Sequence, residues 1–267
     1  MTSLLKHFAF GGAALLCLTG AGLGLADDAP AAPPADTSAA ANPAEGQAPA
    51  TDEAAPAPAP AKPAAPKPPA DVSAFLNRVF KALPKAAPTS YTFQAWDAEG
   101  KPTKEGFGLM PASGLNPEEV VARIMDVDHY VGNLDHVLVC RAIRDGRFLP
   151  PQSVRFYQKL DLSILGDIHH ELVLVDGGTR SGYRLVYWYM LGPETEARGS
   201  DDAARSQYNV GAWIISDSAI GYALSSAPRR EDVSFVKWAA LTDGADIAAE
   251  GVVKSNIEGM ITWVKRS

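Results

Sequence analysis

Residues 246–265, near the end of the chain, constrain the fold more than any other stretch of the sequence. If this segment is helical, its large apolar residues fall on one side at intervals of three and four, which is the pattern of an amphipathic helix. A helix of this length must bury its apolar side against another part of the chain. The apolar stripe consists of Val253, Ile257, Met260, Ile261 and Val264.

Most of the sequence before this helix has the pattern of short β-strands. Apolar and polar residues alternate, and turns rich in Gly, Asp and Pro separate the alternating segments. The arrangement predicts an antiparallel meander. We therefore predict an α+β fold in which a curved antiparallel β-sheet wraps around a long C-terminal α-helix. The predicted strands span residues 91–97, 106–112, 136–144, 153–163, 168–175, 182–191, 205–215, 220–226 and 233–241.

Helices are also predicted before and between the first strands. Residues 72–83 carry apolar residues at helical spacing and stop before Pro84. A second helix begins with Asn116 as its N-cap and Pro117 in the first helical position, followed by acids that the helix dipole favours. Residues 126–137 follow as a short helix or an irregular turn.

Residues 1–26 have the pattern of a secretory signal peptide. Lys6 precedes an apolar run, and a small-x-small pattern ends at Ala26, where we expect cleavage. The alternative is that the run is retained as an N-terminal membrane anchor. In both cases the pattern predicts a secreted or periplasmic protein.

Residues 27–70 are predicted to form a disordered linker. They are nearly all Ala and Pro, hold twelve of the 21 prolines and contain no large apolar residue, so they cannot bury enough surface to fold. The segment is either a semi-rigid tether or a solubilising tail. Residues 71–267 then form a single folded domain.

The charge and the cysteine content of this domain exclude several functions. The chain carries −7, residues 1–26 carry +1 and residues 27–70 carry −4, which leaves −4 for the domain. A mildly acidic domain has no electrostatic basis for binding nucleic acid or an anionic membrane. After cleavage Cys140 is the only cysteine, so we expect neither an internal disulfide nor a cysteine-based metal site.

Residues suited to acid–base or metal chemistry are few. His169 and His170 are adjacent in a predicted strand and point to opposite faces, so one strand cannot offer both to the same ion. His170 could act as a general base if it faced a cavity, and a structural histidine is the alternative. The sequence has no Gly-x-Ser-x-Gly, P-loop, dinucleotide-binding or His-Glu-x-x-His motif. We predict no catalytic residue, no metal site and no cofactor.

The order of the predicted elements resembles the START-like superfamily, which includes polyketide cyclase/dehydrase-like and birch-pollen-allergen-like proteins. The resemblance is carried by residues 116–121 running into 126–130, by residues 156–162 and 166–171, and by the terminal helix. It covers roughly residues 91–266. It implies a helix-grip fold with an elongated apolar cavity under the last helix, where lipids, sterols, polyketides or aromatic molecules bind.

The physics of the predicted fold also indicates a cavity. A curved sheet closed by one helix leaves an interior that side chains do not fill, and such an apolar hollow is a ligand site by default. Plain core packing is the alternative for each aromatic candidate. Arg184 stands mid-strand between apolar residues, where it either faces solvent or binds a ligand head group. With Arg184, the predicted ligand-binding residues are Trp188, Tyr208, Trp213, Tyr222 and Trp238 from the strands and Ile257, Met260 and Ile261 from the helix.

We therefore predict that the protein binds or transports a hydrophobic small molecule, a lipid or a sterol-like compound, without catalysis. The alternatives are a cyclase/dehydratase-like enzyme acting in the same cavity and an interaction module whose cavity is closed. The domain could contact a membrane transiently, and the sequence does not determine its oligomeric state. Gly251 and Gly259 weaken the terminal helix, which fits either a lid that lifts to admit a ligand or close packing on the sheet.

Overall fold

The structure, a computed structural model, describes residues 66–162, 166–192, 203–243 and 245–266. The predicted signal peptide and most of the predicted linker lie outside these residues. The described elements, in chain order, are α1 (Ala70–Ala82), β1 (Thr92–Trp96), β2 (Glu105–Pro111), α2 (Pro117–Met125), a 3₁₀ turn (Val127–His129), β3 (Val137–Ile143), β4 (Ser153–Asp161), β5 (Asp167–Arg180), β6 (Tyr183–Met190), β7 (Ala204–Ile215), β8 (Ala219–Pro228), a 3₁₀ turn (Arg230–Asp232), α3 (Phe235–Asp243) and α4 (Ala245–Lys265).

The strands form one curved, eight-stranded sheet with the order β1-β2-β8-β7-β6-β5-β4-β3. Strands β3 to β8 form the predicted antiparallel meander, since each pairs with the next. The β1–β2 hairpin then pairs with β8 and extends the sheet on that side. Beyond the end of β6, β5 and β7 pair directly and in parallel. The sheet and α4 confirm the α+β helix-grip prediction.

Different helices cover the two faces of the sheet. The outer face carries α1, and the inner face carries α2 and α4. Tyr187 on the outer face donates a hydrogen bond to the carbonyl of Pro66 at 2.8 Å, so the chain already contacts the sheet just before α1 begins. The outer-face cluster joins Val72, Phe75, Leu76 and Val79 of α1 to Val173, Leu185, Tyr187 and Ile214 of the sheet.

The start of α2 has the capping interactions that the sequence predicts. The side chain of Asn116 accepts a hydrogen bond from the backbone N–H of Glu118 at 3.0 Å, and Pro117 occupies the first helical position. Such a cap satisfies a backbone donor that would otherwise have no partner inside the helix.

Residues 233–241, predicted as a ninth strand, lie mostly in helix α3, so this prediction was wrong. The reason is the position of β8 in the sheet. One edge of β8 pairs with β7 and the other with β2, which leaves no free edge for the segment that follows. The side chains of Phe235 and Val236 are exposed at the start of α3, at 74% and 76%.

Helix α4 approaches the sheet closely at Gly108 on β2. A Cβ atom on Gly108 would overlap Cγ1 of Val253 and lie 3.0 Å from the ring of Tyr91. Further along α4, a Cβ on Gly259 would lie 3.2 Å from the carbonyl oxygen of Asn133. Close packing therefore accounts for Gly259, whereas a Cβ on Gly251 would meet no atom within 4 Å.

Within the part of the chain that the structure describes, no helix is both long enough and apolar enough to span a membrane.

Changing Gly108→Ala should destabilise the protein by about 1–3 kcal/mol, because the added methyl group overpacks the contact between β2 and α4. The matched control is Gly251→Ala, which adds the same atom to α4 in open space and should stabilise it by up to about 1 kcal/mol. Urea unfolding followed by circular dichroism measures both. Equal stability of Gly108→Ala and the unmodified protein would mean that α4 is not held tightly at this point.

Candidate ligand-binding site

A cavity of about 390 Å³ lies between the inner face of the sheet and the amino-terminal half of α4. Its volume is within the range of small-molecule sites. The lining residues are Thr103, Lys104, Gly106, Tyr130, Leu134, Asp135, His136, Phe156, Gln158, Leu160, Leu162, Ile168, His170, Leu172, Leu174, Trp188, Asn209, Trp213, Tyr222, Leu224, Ser226, Pro228, Leu241, Ala249, Gly251, Val252, Val253 and Asn256.

The walls of the cavity follow from strand geometry. Side chains of one strand alternate between the two faces of a sheet, so every second residue of β4, β5 and β8 faces inward. On β5 the inward residues are Ile168, His170, Leu172 and Leu174. Most inward positions hold large aliphatic or aromatic residues, which makes the cavity predominantly apolar.

Three aromatic rings form one wall. The ring of Tyr222 lies 5.1 Å from that of Trp188 and 4.6 Å from that of Trp213, measured between centroids. The ring of Trp188 also lies across Gly211 on the next strand, where any Cβ atom would overlap it. Burial raises the pKa of Tyr222 well above its usual range, so its hydroxyl stays protonated.

A cluster of polar side chains interrupts this apolar lining. His170 is 1% exposed and lies between Gln158 on β4 and Ser206 on β7. Its Nε2 atom is 3.1 Å from Oε1 of Gln158, and its Nδ1 atom is 3.1 Å from Oγ of Ser206. Asn209 completes the cluster, because its Oδ1 atom accepts a hydrogen bond from the indole N–H of Trp188 at 2.8 Å.

The unusual pairing of β5 with β7 brings this cluster together. Because β6 ends at Met190, the segment of β7 around Ser206 pairs with the segment of β5 around His170. A register shift between Ser206 and Tyr208 inserts an extra residue, so that Ser206 and Asn209 both face inward.

Burial controls the protonation of His170. Desolvation, together with the neighbouring His169, lowers the pKa of His170 to about 3. The imidazole is therefore neutral near pH 7, with one nitrogen donating a hydrogen bond and the other accepting one. A neutral ring is consistent with the apolar surroundings, where an unpaired charge would be costly.

The charged residues of the lining lie at the solvent-exposed rim. Asp135 and Gly251 are exposed, and Lys104 and His136 are half-buried. Of the two exposed lining residues, Gly251 lies in the amino-terminal half of α4 and Asp135 lies in the loop before β3. The interior holds the apolar side chains and the neutral polar cluster.

Trp188, Trp213 and Tyr222 are the predicted site residues that the structure brings together in the cavity wall. Ile257 and Met260 are fully buried in the core between α4, α2 and the sheet, and they do not line the cavity. Ile261 is half-buried against the same core and also lies outside the lining.

Tyr208 and Trp238 do not line the cavity. No register shift separates Tyr208 from Trp213, and five positions along a strand put the two side chains on opposite faces. The hydroxyl of Tyr208 lies 2.6 Å from Oγ1 of Thr103. Trp238 belongs to α3, where the guanidinium of Arg230 lies 5.3 Å from its ring.

Arg184 also lies outside the cavity lining. Its guanidinium binds the carboxylate of Glu118 at the start of α2 at 2.6 Å and that of Asp176 on β5 at 3.1 Å. The hydrogen bonds to these two acids raise its pKa against the effect of burial. Arg184 therefore ties α2 to the sheet.

His169 and Glu171 occupy the outer face of β5. His169 packs against the ring of Tyr157, and Glu171 binds the guanidinium of Arg155 at 2.5 Å. Among the described residues, no group of three or more His, Cys, Asp or Glu side chains is placed to hold a metal ion.

Gln158, Ser206 and Asn209 were not predicted from the sequence. Gln158 carried a detectable signal, because it lies between Phe156 and Leu160 on the inward side of an otherwise apolar strand face. Ser206 and Asn209 carried none, since strict alternation puts residues 206 and 209 on opposite faces and only the register shift places both inward.

Comparisons with solved structures identify the fold. A STAR-related lipid transfer protein from Xanthomonas axonopodis is 11% identical with a TM-score of 0.53, and the match covers 67% of this chain and 96% of the other. Human STARD10 is 12% identical with a TM-score of 0.54, covering 75% and 83%. Human StAR-related lipid transfer protein 5 is 8% identical with a TM-score of 0.53, covering 73% and 95%. These likenesses confirm a START-like fold.

The sequence itself has no comparable match. No protein-family model and no curated protein matches it.

Acidification should destabilise the protein through His170. Below pH 6.5 the unfolded chain protonates this histidine, whereas the folded protein keeps it neutral down to about pH 3. The unfolded state then binds more protons, so the free energy of unfolding falls as the pH falls, by about 2 kcal/mol between about pH 7 and about pH 5. Urea unfolding across this pH range measures the effect. In His170→Gln the free energy of unfolding should fall much less than in the unmodified protein.

The matched control is His129→Gln. His129 is exposed and its hydrogen bond to Asp126 raises its pKa, so its protonation favours the folded state. Removing it should not flatten the pH dependence. If His170→Gln retains the full dependence, His170 is not the group responsible.

Proposed function

We propose that this protein binds a hydrophobic small molecule, a lipid or a sterol-like compound, in the cavity between the sheet and α4, without catalysing its conversion. The observation that carries the proposal is a cavity of about 390 Å³ with predominantly apolar walls and with its charged residues at the rim. The fold shared with proteins named for lipid transfer supports the same class of ligand.

Binding is a better interpretation than catalysis because of the state of His170. A general base works best when its pKa lies near the working pH. A pKa of about 3 makes His170 a weak base near pH 7, and both of its ring nitrogens lie within 3.1 Å of protein partners. These contacts favour a role in shaping the cavity.

We further propose that the protein acts outside the cytoplasm, either secreted or periplasmic. The support is the signal-peptide pattern of residues 1–26, which is retained as a membrane anchor if cleavage does not occur. Residues 27–70 would then hold the binding domain away from its point of attachment or keep it soluble. Residues 1–65 lie outside the described residues.

The two halves of α4 have different surroundings. The amino-terminal half contributes Ala249, Gly251, Val252, Val253 and Asn256 to the cavity lining. The carboxyl-terminal half is anchored by its buried residues in the core. We infer that a ligand enters by displacement of the amino-terminal half, beside the exposed Gly251.

Filling the cavity should abolish binding. Leu224 on β8 is half-buried and lines the cavity, so Leu224→Trp places a bulky ring in the space that the ligand needs. We expect affinity for the neutral fluorescent probe N-phenylnaphthylamine to fall at least about tenfold, which corresponds to about 1.4 kcal/mol. Fluorescence titration measures the affinity, and circular dichroism confirms that the variant is folded.

The matched control is Leu149→Trp, which adds the same ring at a position that is 57% exposed and outside the cavity lining. Its affinity for the probe should equal that of the unmodified protein. Equal affinity in Leu224→Trp would place the bound probe elsewhere on the molecule.

Ligand binding should protect one half of α4 from hydrogen exchange. Without ligand, amides of residues 249–256 should exchange faster than those of the central strands, because this half borders the cavity. With saturating N-phenylnaphthylamine they should slow, while amides of residues 257–264 change little. Mass spectrometry of peptic fragments separates the two halves. Uniform protection along α4, or none, would contradict an entrance at this position.

A further inference from the structure

The neutral polar cluster in the cavity has a defined direction of hydrogen bonding. An indole N–H can only donate, so the contact of 2.8 Å from Nε1 of Trp188 requires the carbonyl oxygen of the Asn209 amide at that position. The amide nitrogen of Asn209 then points to Nδ1 of His170, at 3.5 Å. Because that nitrogen carries donors, Nδ1 of His170 is an acceptor.

This assignment fixes the remaining partners. A neutral imidazole with an accepting Nδ1 carries its proton on Nε2. The Nε2–H group therefore donates to Oε1 of Gln158, which lies 3.1 Å away. The hydroxyl of Ser206, 3.1 Å from Nδ1, is placed to donate to the same acceptor.

The amide nitrogen of Gln158 is left with its two N–H donors. Gln158 is half-buried and lines the cavity, and among the described residues no side chain or carbonyl accepts a hydrogen bond from this nitrogen. A donor in an apolar cavity gains free energy when an acceptor meets it. The cavity therefore offers a ligand one directed donor group.

We propose that the Gln158 amide selects a ligand that is apolar apart from an uncharged oxygen, a hydroxyl or a carbonyl group, which accepts its hydrogen bond. This inference rests on the proposed ligand-binding function and specifies the chemical class of the ligand. It also gives the buried cluster a function, since Trp188, Asn209 and His170 hold the Gln158 amide in one orientation.

Charged head groups fit this position poorly. The cluster contains only neutral side chains, and the charged residues of the lining, Lys104 and Asp135, lie at the rim. A carboxylate beside Gln158 would be buried without a cation, which is costly, and an ammonium group would meet donors instead of acceptors. A neutral oxygen satisfies the amide without either cost.

The test compares ligands that share a tail and differ in the head group. Decanol, decyl chloride and decanoate are titrated against the protein loaded with N-phenylnaphthylamine, and displacement of the probe gives each affinity. The variant is Gln158→Met, which keeps a long unbranched side chain and removes the donor. The control is Leu160→Met, which changes another lining residue of the same strand.

For each protein we compare the affinity for decanol with the affinity for decyl chloride. We expect the preference for decanol to be larger in the unmodified protein than in Gln158→Met. The ratio of the two affinities should fall about three- to tenfold in the variant, as loss of one net hydrogen bond predicts. Leu160→Met should leave this ratio unchanged. The affinity for decanoate relative to decyl chloride should not depend on Gln158.

Each other outcome has a distinct meaning. An unchanged ratio in Gln158→Met, or a loss of decanoate affinity as large as that of decanol, overturns the proposed selection of a neutral oxygen. If Gln158→Met does not fold, the unmodified protein decides the question, because equal affinity for decanol and decyl chloride overturns the proposal. If neither the probe nor any of the ligands binds the unmodified protein, the proposed function itself fails.

Discussion

The contact between α4 and β2 at Gly108 lies where the filled core of this protein meets its cavity. Because Gly108 has no side chain, Val253 can lie directly against the strand. The carboxyl-terminal half of α4 continues from this contact into a filled core, where Ile257 and Met260 are fully buried. Over the inner face of β4 and β5, the space beside the amino-terminal half of α4 is not filled by side chains, and it forms the cavity. A contact as close as that at Gly108 requires a residue without a Cβ atom, so one glycine contributes to the shape of the whole site.

The polar cluster contains a buried histidine that forms hydrogen bonds beside an apolar cavity without adding charge. His170 has a partner for each ring nitrogen, and its burial keeps it neutral. Desolvation makes it a poor base at neutral pH, and its two ring nitrogens contact the side chains of Asn209 and Gln158. The burial of His170 lowers the free energy of unfolding in acid, because the unfolded chain takes up a proton that the folded protein excludes. Stability at low pH and the chemistry of the cavity are therefore linked through one residue.

The sequence predicted the α+β class, the meander, the α2 cap and the long terminal helix, because each depends on local periodicity or capping. It predicted Trp188, Trp213 and Tyr222 for the lining, and the structure places these three in the cavity wall. It could not show that β8 pairs with β2, which leaves residues 233–241 no strand to pair with. It also could not show that Arg184 binds Glu118 and Asp176. Those features depend on contacts between distant parts of the chain. The same applies to the register shift in β7, which placed Ser206 and Asn209 together on the inner face of the sheet beside His170.

We propose that the cavity holds a hydrophobic ligand in the living cell. Native mass spectrometry of the protein purified from the organism that produces it, followed by organic extraction of the bound material, tests this claim most directly. We expect a co-purifying apolar molecule, bound one to a chain and carrying a hydroxyl or carbonyl group. A protein that is recovered empty, and whose melting temperature no lipid raises, would contradict it.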